Sequence, residues 1–267
     1  MSADMTKMKY PFHLGTTSYI IPDNILPNVR EISPLVDDIE LVLFESPEIS
    51  NIPSSEEIKE LADLGARNDC GYTVHLPIDK KAGAAEDSER IGFCDAAKKI
   101  IERTLPLSPR AWILHLEGIK SSDSETQVGD WVQRCDRTVT SLMELIGKPS
   151  KIAIENLGYP WHWHRGLAIK HGASLCCDVG HLWAYFANDW QVQLEEMLPH
   201  TSVIHLHGFN GEKDHVSLAC GNQDHIELFF DKIKKANYRG VVTLEIFNQT
   251  DFSESVDMVA KIWEKLS

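Results

Sequence analysis

Seven short apolar runs in this chain each end in a side chain that can bind a metal ion or carry a proton. LVLFE closes on Glu45, YTVH on His75, WILH on His115, IAIE on Glu155, LCCD on Asp178, VIH on His205 and VTLE on Glu245. A parallel strand covered on both faces reads as an unbroken apolar run, and a helical crossover returns the chain to the same edge. Repeated along most of 267 residues, with helix-like segments between the runs, this alternation predicts an α/β fold, a single (β/α)8 TIM barrel spanning residues 1–267. In such a barrel the polar side chains at the C-terminal strand ends do the chemistry. The ligand-type residues are therefore expected at one mouth.

The runs place strands at about 12–16, 39–45, 72–76, 111–116, 151–155, 174–178, 202–207 and 240–246. Ser54-Ser55-Glu56-Glu57 reads as a helix-starting capping box, with Ile58, Leu61 and Leu64 at helical spacing behind it. Further helical patterns cover residues 88–104, 129–146 and 251–266. The fifth repeat is the weakest, because only WHWHRGLAIKHG separates the run at Glu155 from the run at Asp178. Side chains two apart on a strand share a face. Leu43, Thr73, Ile113, Ala153, Cys176, Val203 and Thr243 thus fill the interior one layer below the seven terminal groups.

Charge narrows the partner class. With 26 basic against 40 acidic side chains and a net charge of −14, the chain lacks the cationic surface that displaces counterions from a phosphate backbone. A long nucleic acid is not the expected partner; a small-molecule substrate is. The six cysteines are scattered without a CxxC pair, which fits reduced thiols rather than a disulfide frame. The first residues lack a signal-like apolar core and no run reaches membrane-spanning length, so the expectation is a cytoplasmic protein without a membrane partner.

Imidazoles and carboxylates without thiolates suit catalytic zinc, manganese, iron or cobalt. The candidate metal set is His75, His115, Glu155, Asp178, His181, His205, Asp214, His215 and Glu245. DVGH puts His181 just past the strand that ends at Asp178, and HLHGFNGEKDH adds His207, Asp214 and His215. So many charged groups at one level are costly unless paired or metal-bound.

The series His75, His115, Glu155, Asp178-Val-Gly-His181, His205 and Glu245 resembles the xylose isomerase-like barrel superfamily, which holds sugar isomerases and epimerases and endonuclease IV-type phosphodiesterases. The isomerase type implies one divalent metal on Glu155, Asp178, His205 and Glu245. The endonuclease type implies up to three zinc-class ions. One would sit on His75, His115 and Glu155, and a second on Glu155, Asp178, His205 and Glu245. The third would take His181, His215 and Asp214. The adjacent Asp214-His215 departs from the endonuclease pattern, in which one residue separates the pair.

The opening HLGTTSYIIPDNILPNVREISPLVDDIELVLFES, with YTVHLPID, CCDVGHLW, VIHLHGF, KDH and VVTLEIF, is similar to the cobamide-remodelling phosphodiesterases (the CbiR type). That resemblance implies a metal-dependent hydrolase that opens the nucleotide loop of a cobamide of the coenzyme B12 type, for corrinoid salvage. Metal coordination would lower the pKa of the attacking water, Glu155 would bridge two ions, and Glu45 would be a base or an orienting partner. His207, on the face of His205 but further toward solvent, is expected to contact substrate. Trp161 and Trp163 either stack on a base or macrocycle or pack the short fifth helix. Ser18 and Tyr19 are candidate substrate contacts or ordinary turn residues. The alternative is a sugar isomerase or epimerase. There Glu155 and Glu245 move protons on opposite faces of an enediolate, and His75, His115 and His215 contact hydroxyls. A third reading is a non-catalytic corrinoid- or metal-binding barrel.

Overall fold

Strand residues in this chain are buried on nearly every position, as expected where helices cover one face and a packed interior fills the other. The computed structural model describes residues 7–46 and 48–266. Its strands are β1 (His13–Thr17), β2 (Asp38–Val42), β3 (Gly71–His75), β4 (Trp112–Leu114), β5 (Ile152–Glu155), β6 (Ser174–Asp178), β7 (Thr201–Leu206) and β8 (Val241–Leu244). They close in sequence order into a barrel. The helices are α1 (Ile25–Ile32), α2 (Ser55–Asn68), α3 (Asp87–Thr104), α4 (Glu125–Ile146), α5 (His162–His171), α6 (Val179–Tyr185), α7 (Trp190–Met197), α8 (Gln223–Lys235) and α9 (Gln249–Leu266). The expected (β/α)8 barrel is therefore the fold.

The chain divides into two compact units. One holds Met1–Glu40, Asp63–Gly71 and Cys177–Ser267. Here β8 lies between β1 and β7, with Thr16 opposite Leu244 and Leu206 opposite the same residue. The hydroxyls of Thr16 and Thr17 donate to the carbonyls of Leu244 and Ile246, tying β1 to the far end of β8. The other unit holds Leu41–Ala62 and Tyr72–Cys176. Its strands run in parallel register, with Ile113 opposite Ala153 and Glu155 opposite Cys176. Trp112, Trp131 and Phe93 fill its core.

Local chemistry explains several element ends. Ser54 and Glu57 exchange the two reciprocal capping bonds expected at the head of α2. Helix α4 begins at Glu125, earlier than its apolar spacing suggests, because Ser124 and Gln127 form a second capping box. Helix α5 is ten residues long and ends at Gly172, whose φ of 65° suits the left-handed cap. Strand β2 stops at Val42 instead of running to Glu45. Beyond it Asn51 replaces the ladder, accepting from the Phe44 N–H at 2.6 Å and donating to the Val42 carbonyl at 3.0 Å. No helix among the described residues is long and apolar enough to cross a membrane.

Candidate metal centre

In the unit containing β3 to β5, three strand-end residues meet. Glu155, the last residue of β5, is 1% exposed. His115 Nε2 lies 3.1 Å from Glu155 Oε2, and His75 Nε2 lies 3.7 Å from the same oxygen. The two rings meet edge to face with centroids 4.6 Å apart. His75 Nδ1 sits 2.7 Å from the Leu76 carbonyl. A carbonyl can only accept, so Nδ1 carries the hydrogen and Nε2 turns its lone pair toward Glu155.

In the unit containing β6 to β8, Asp178 ends its strand and caps α6. Its Oδ1 accepts from the His181 N–H at 2.6 Å and faces His207 Nε2 at 3.3 Å. Oδ2 lies 3.4 Å from His181 Nδ1. His207 is fully buried and stacks on His215, with centroids 4.0 Å apart and planes 15° apart. Its Nδ1 lies 3.0 Å from the His215 backbone nitrogen and 3.2 Å from the Gly208 carbonyl oxygen. Gly180 of the DVGH segment is required by this packing, since a Cβ there would overlap the His207 imidazole. Burial works against a charge on His207, but Asp178 outweighs it and holds the ring above its ordinary value.

Glu245 follows β8 and is 7% exposed. Its Oε2 lies 3.1 Å from His205 Nδ1 and 3.3 Å from His215 Nε2. His215 has φ of 53°, a left-handed backbone that aims its ring back at the cluster. Burial opposes its charge, yet the hydrogen bond and charge of Glu245, with Asp178 and Asp214 behind them, raise it to about 9. His205 Nε2 meets Glu40 Oε2 at 2.9 Å, both side chains being fully buried.

Asp178, His181, His207 and His215 each offer a donor atom within 4.8 Å of the others, and so do His75, His115 and Glu155. These are nitrogen and oxygen donors with one buried carboxylate in each cluster, a set that suits a divalent cation and is costly without one. Two expectations change. His207, expected further toward solvent, is fully buried in the donor cluster, its ring wedged between Gly180 and His215. Asp214 lies outside the clusters and pairs with His215 Nδ1 at 3.1 Å, so it orients that ring. Burial raises the Asp214 pKa, but the His215 bond prevails and lowers it.

Glu45 does not join either cluster. The loop that Asn51 organises carries it to the Lys99 ammonium at 2.7 Å, and this hydrogen bond lowers its pKa. Trp161 is 3% exposed with Arg165 over its ring. Trp163 stacks on Tyr159 with planes 6° apart. Ser18 is fully buried and donates its N–H to the Glu40 carbonyl, while Tyr19 is half-buried. Sequence reasoning missed Glu40. The signal was a lone acid inside the apolar run IELV, where a charge needs a partner.

The xylose isomerase-like TIM barrel family matches residues 36–262. The chain belongs to that family. No curated protein matches it in sequence. Among solved structures, a D-tagatose 3-epimerase-like protein superposes with a TM-score of 0.77 at 20% identity, covering 95% of this barrel and 97% of that chain. The 3-keto-D-glucoside 4-epimerase from E. coli gives 0.75 at 14%, covering 95% and 99%. An L-ribulose 3-epimerase gives 0.70 at 13%, covering 95% of each. At these identities the likeness establishes the fold. The names of these neighbours are those of sugar epimerases, and the family match reaches only the superfamily. The expected cobamide phosphodiesterase, with its hydrolase chemistry and corrinoid substrate, is therefore corrected.

Proposed function

We propose that this xylose isomerase-like barrel is a divalent-metal-dependent sugar isomerase or epimerase acting on a small ketose or keto-sugar. The observation that carries the reading is the matched state of two buried glutamates. Glu155 is flanked by His75 and His115, and Glu245 by His205 and His215. Each sits at a strand end, the level at which a barrel places its catalytic groups. The sugar epimerases among the structural neighbours support the same reading.

Asp178, His205 and Glu245 would hold the cation. When bound, it polarises a carbonyl and acidifies the neighbouring C–H. One glutamate then removes the proton next to the carbonyl, leaving an enediolate. Return of a proton on the opposite face inverts that carbon. The imidazoles would keep each carboxylate aimed and bind sugar hydroxyls. Binding and orientation thus come from many polar contacts, and proton transfer from two.

A panel of ketoses incubated in D2O with manganese tests this. Deuterium should enter the carbon that inverts, and Glu155→Gln or Glu245→Gln should slow turnover by about 10²–10⁴-fold, the usual loss on removing a general acid or base. No exchange on any ketose with manganese, cobalt or magnesium would refute it.

A further inference from the structure

The barrel interior holds a carboxylate that the proposed proton transfer does not use. Glu40 is fully buried on β2, fixed by its register with Thr17 and by the Ser18 N–H on its carbonyl. Its Oε2 lies 2.9 Å from His205 Nε2, and its Oε1 has no hydrogen-bond partner among the described residues. A half-satisfied carboxylate is costly in a barrel core, and a buried ion pair often contributes less stability than hydrocarbon of the same size. Stability alone is thus a poor account of it.

The other side of the His205 ring supplies a better one. Its Nδ1 lies 3.1 Å from Glu245 Oε2 and 4.0 Å from Asp178 Oδ2. A neutral imidazole ligates through the nitrogen that lacks hydrogen, so Nδ1 can serve a cation only if the proton stays on Nε2. A carboxylate accepting from Nε2–H fixes that tautomer and makes Nδ1 a stronger donor. We propose that Glu40 is a positioning residue: it holds His205 as the Nε2–H tautomer and presents Nδ1 to a cation shared with Asp178 and Glu245. This rests on the metal-centre part of the proposed function and is independent of which sugar is the substrate.

The test uses Glu40→Gln, which keeps an acceptor but loses the charge, and Glu40→Met, which loses both. Affinity for zinc and manganese is measured by chelator competition. Exchange of the His205 Nε2–H is followed by NMR in the zinc-loaded protein, with His205→Asn identifying the signal. The Gln variant should bind zinc about 10-fold more weakly and the Met variant up to about 100-fold. The protected Nε2–H should persist in the first and exchange freely in the second. Wild-type affinity in the Met variant overturns the proposal. If that variant does not fold, wild-type affinity and exchange in the Gln variant do the same. Failure of every ketose with these affinity losses intact would remove the sugar reading and leave the role of Glu40 standing.

Discussion

A histidine can be informative by having nowhere to put a proton. His164, in the first turn of α5, is fully buried, and neither ring nitrogen has a hydrogen-bond partner among the described residues. Its ring meets Tyr159 edge to face. Burial, helped by the positive field of His162, lowers its pKa from 6.5 to about 3. The folded chain therefore refuses a proton that the unfolded chain accepts. Stability is whole above the unfolded pKa of 6.5 and declines as pH falls toward about 3, by about 1.4 kcal/mol per pH unit for this one group. In His164→Phe, urea unfolding between pH 6 and 4 should show an acid limb shallower by about that slope; an unchanged limb would mean that the ring finds a partner when charged. Legibility at this scale was uneven. His75, His115, Glu155, Asp178, His205 and Glu245 end apolar runs, and a strand end is a position that sequence reveals. The placement of His207 depends on Gly180 and on the left-handed backbone at His215, contacts between segments that no single run encodes.

Among the elements, β2 shows why a boundary decides a role. Its apolar run continues through Leu43 and Phe44, so periodicity extends the strand and turns Glu45 inward. Asn51 ends it early by satisfying both Phe44 and Val42. Glu40, of opposite parity to Leu43 and Glu45, is the acid that faces His205 inside the barrel, and Glu45 goes to Lys99. Asn51→Ala should remove two backbone-directed hydrogen bonds, costing about 1–3 kcal/mol in urea unfolding, and should loosen the loop. Stability equal to wild type would show that water or a neighbour replaces the amide. The capping boxes at Ser54 and Ser124 tell the complementary story. The first is legible because its residues adjoin the apolar spacing, whereas the second lies a full turn ahead of it.

For the molecule as a whole, the repeated apolar run with a polar end was enough to specify a closed eight-stranded barrel. Every repeat must bury its strand and return by a helix, so errors in single elements do not alter the closure. Function was less legible, because one barrel hosts many chemistries and the same donor set serves more than one. With 40 acidic residues against 26 basic and carboxylates gathered at strand ends, a bound cation should stabilise the folded chain selectively. At 100 times its dissociation constant a ligand contributes about 2.7 kcal/mol, which for a chain of this size raises the melting temperature by about 5–10 °C. Melting curves with manganese or zinc against a chelator measure this, and coincident curves would deny the centre.

The crowd of imidazoles around Asp178 and Glu245 has a practical consequence. Nitrogen-rich pockets follow the general ranking of first-row ions and discriminate among them weakly, so occupancy would mirror whatever the host cell or the growth medium makes abundant. Two batches of one gene product could then differ in specific activity while sharing every covalent bond, and trace-element supply would be as much a determinant of the catalyst as its sequence.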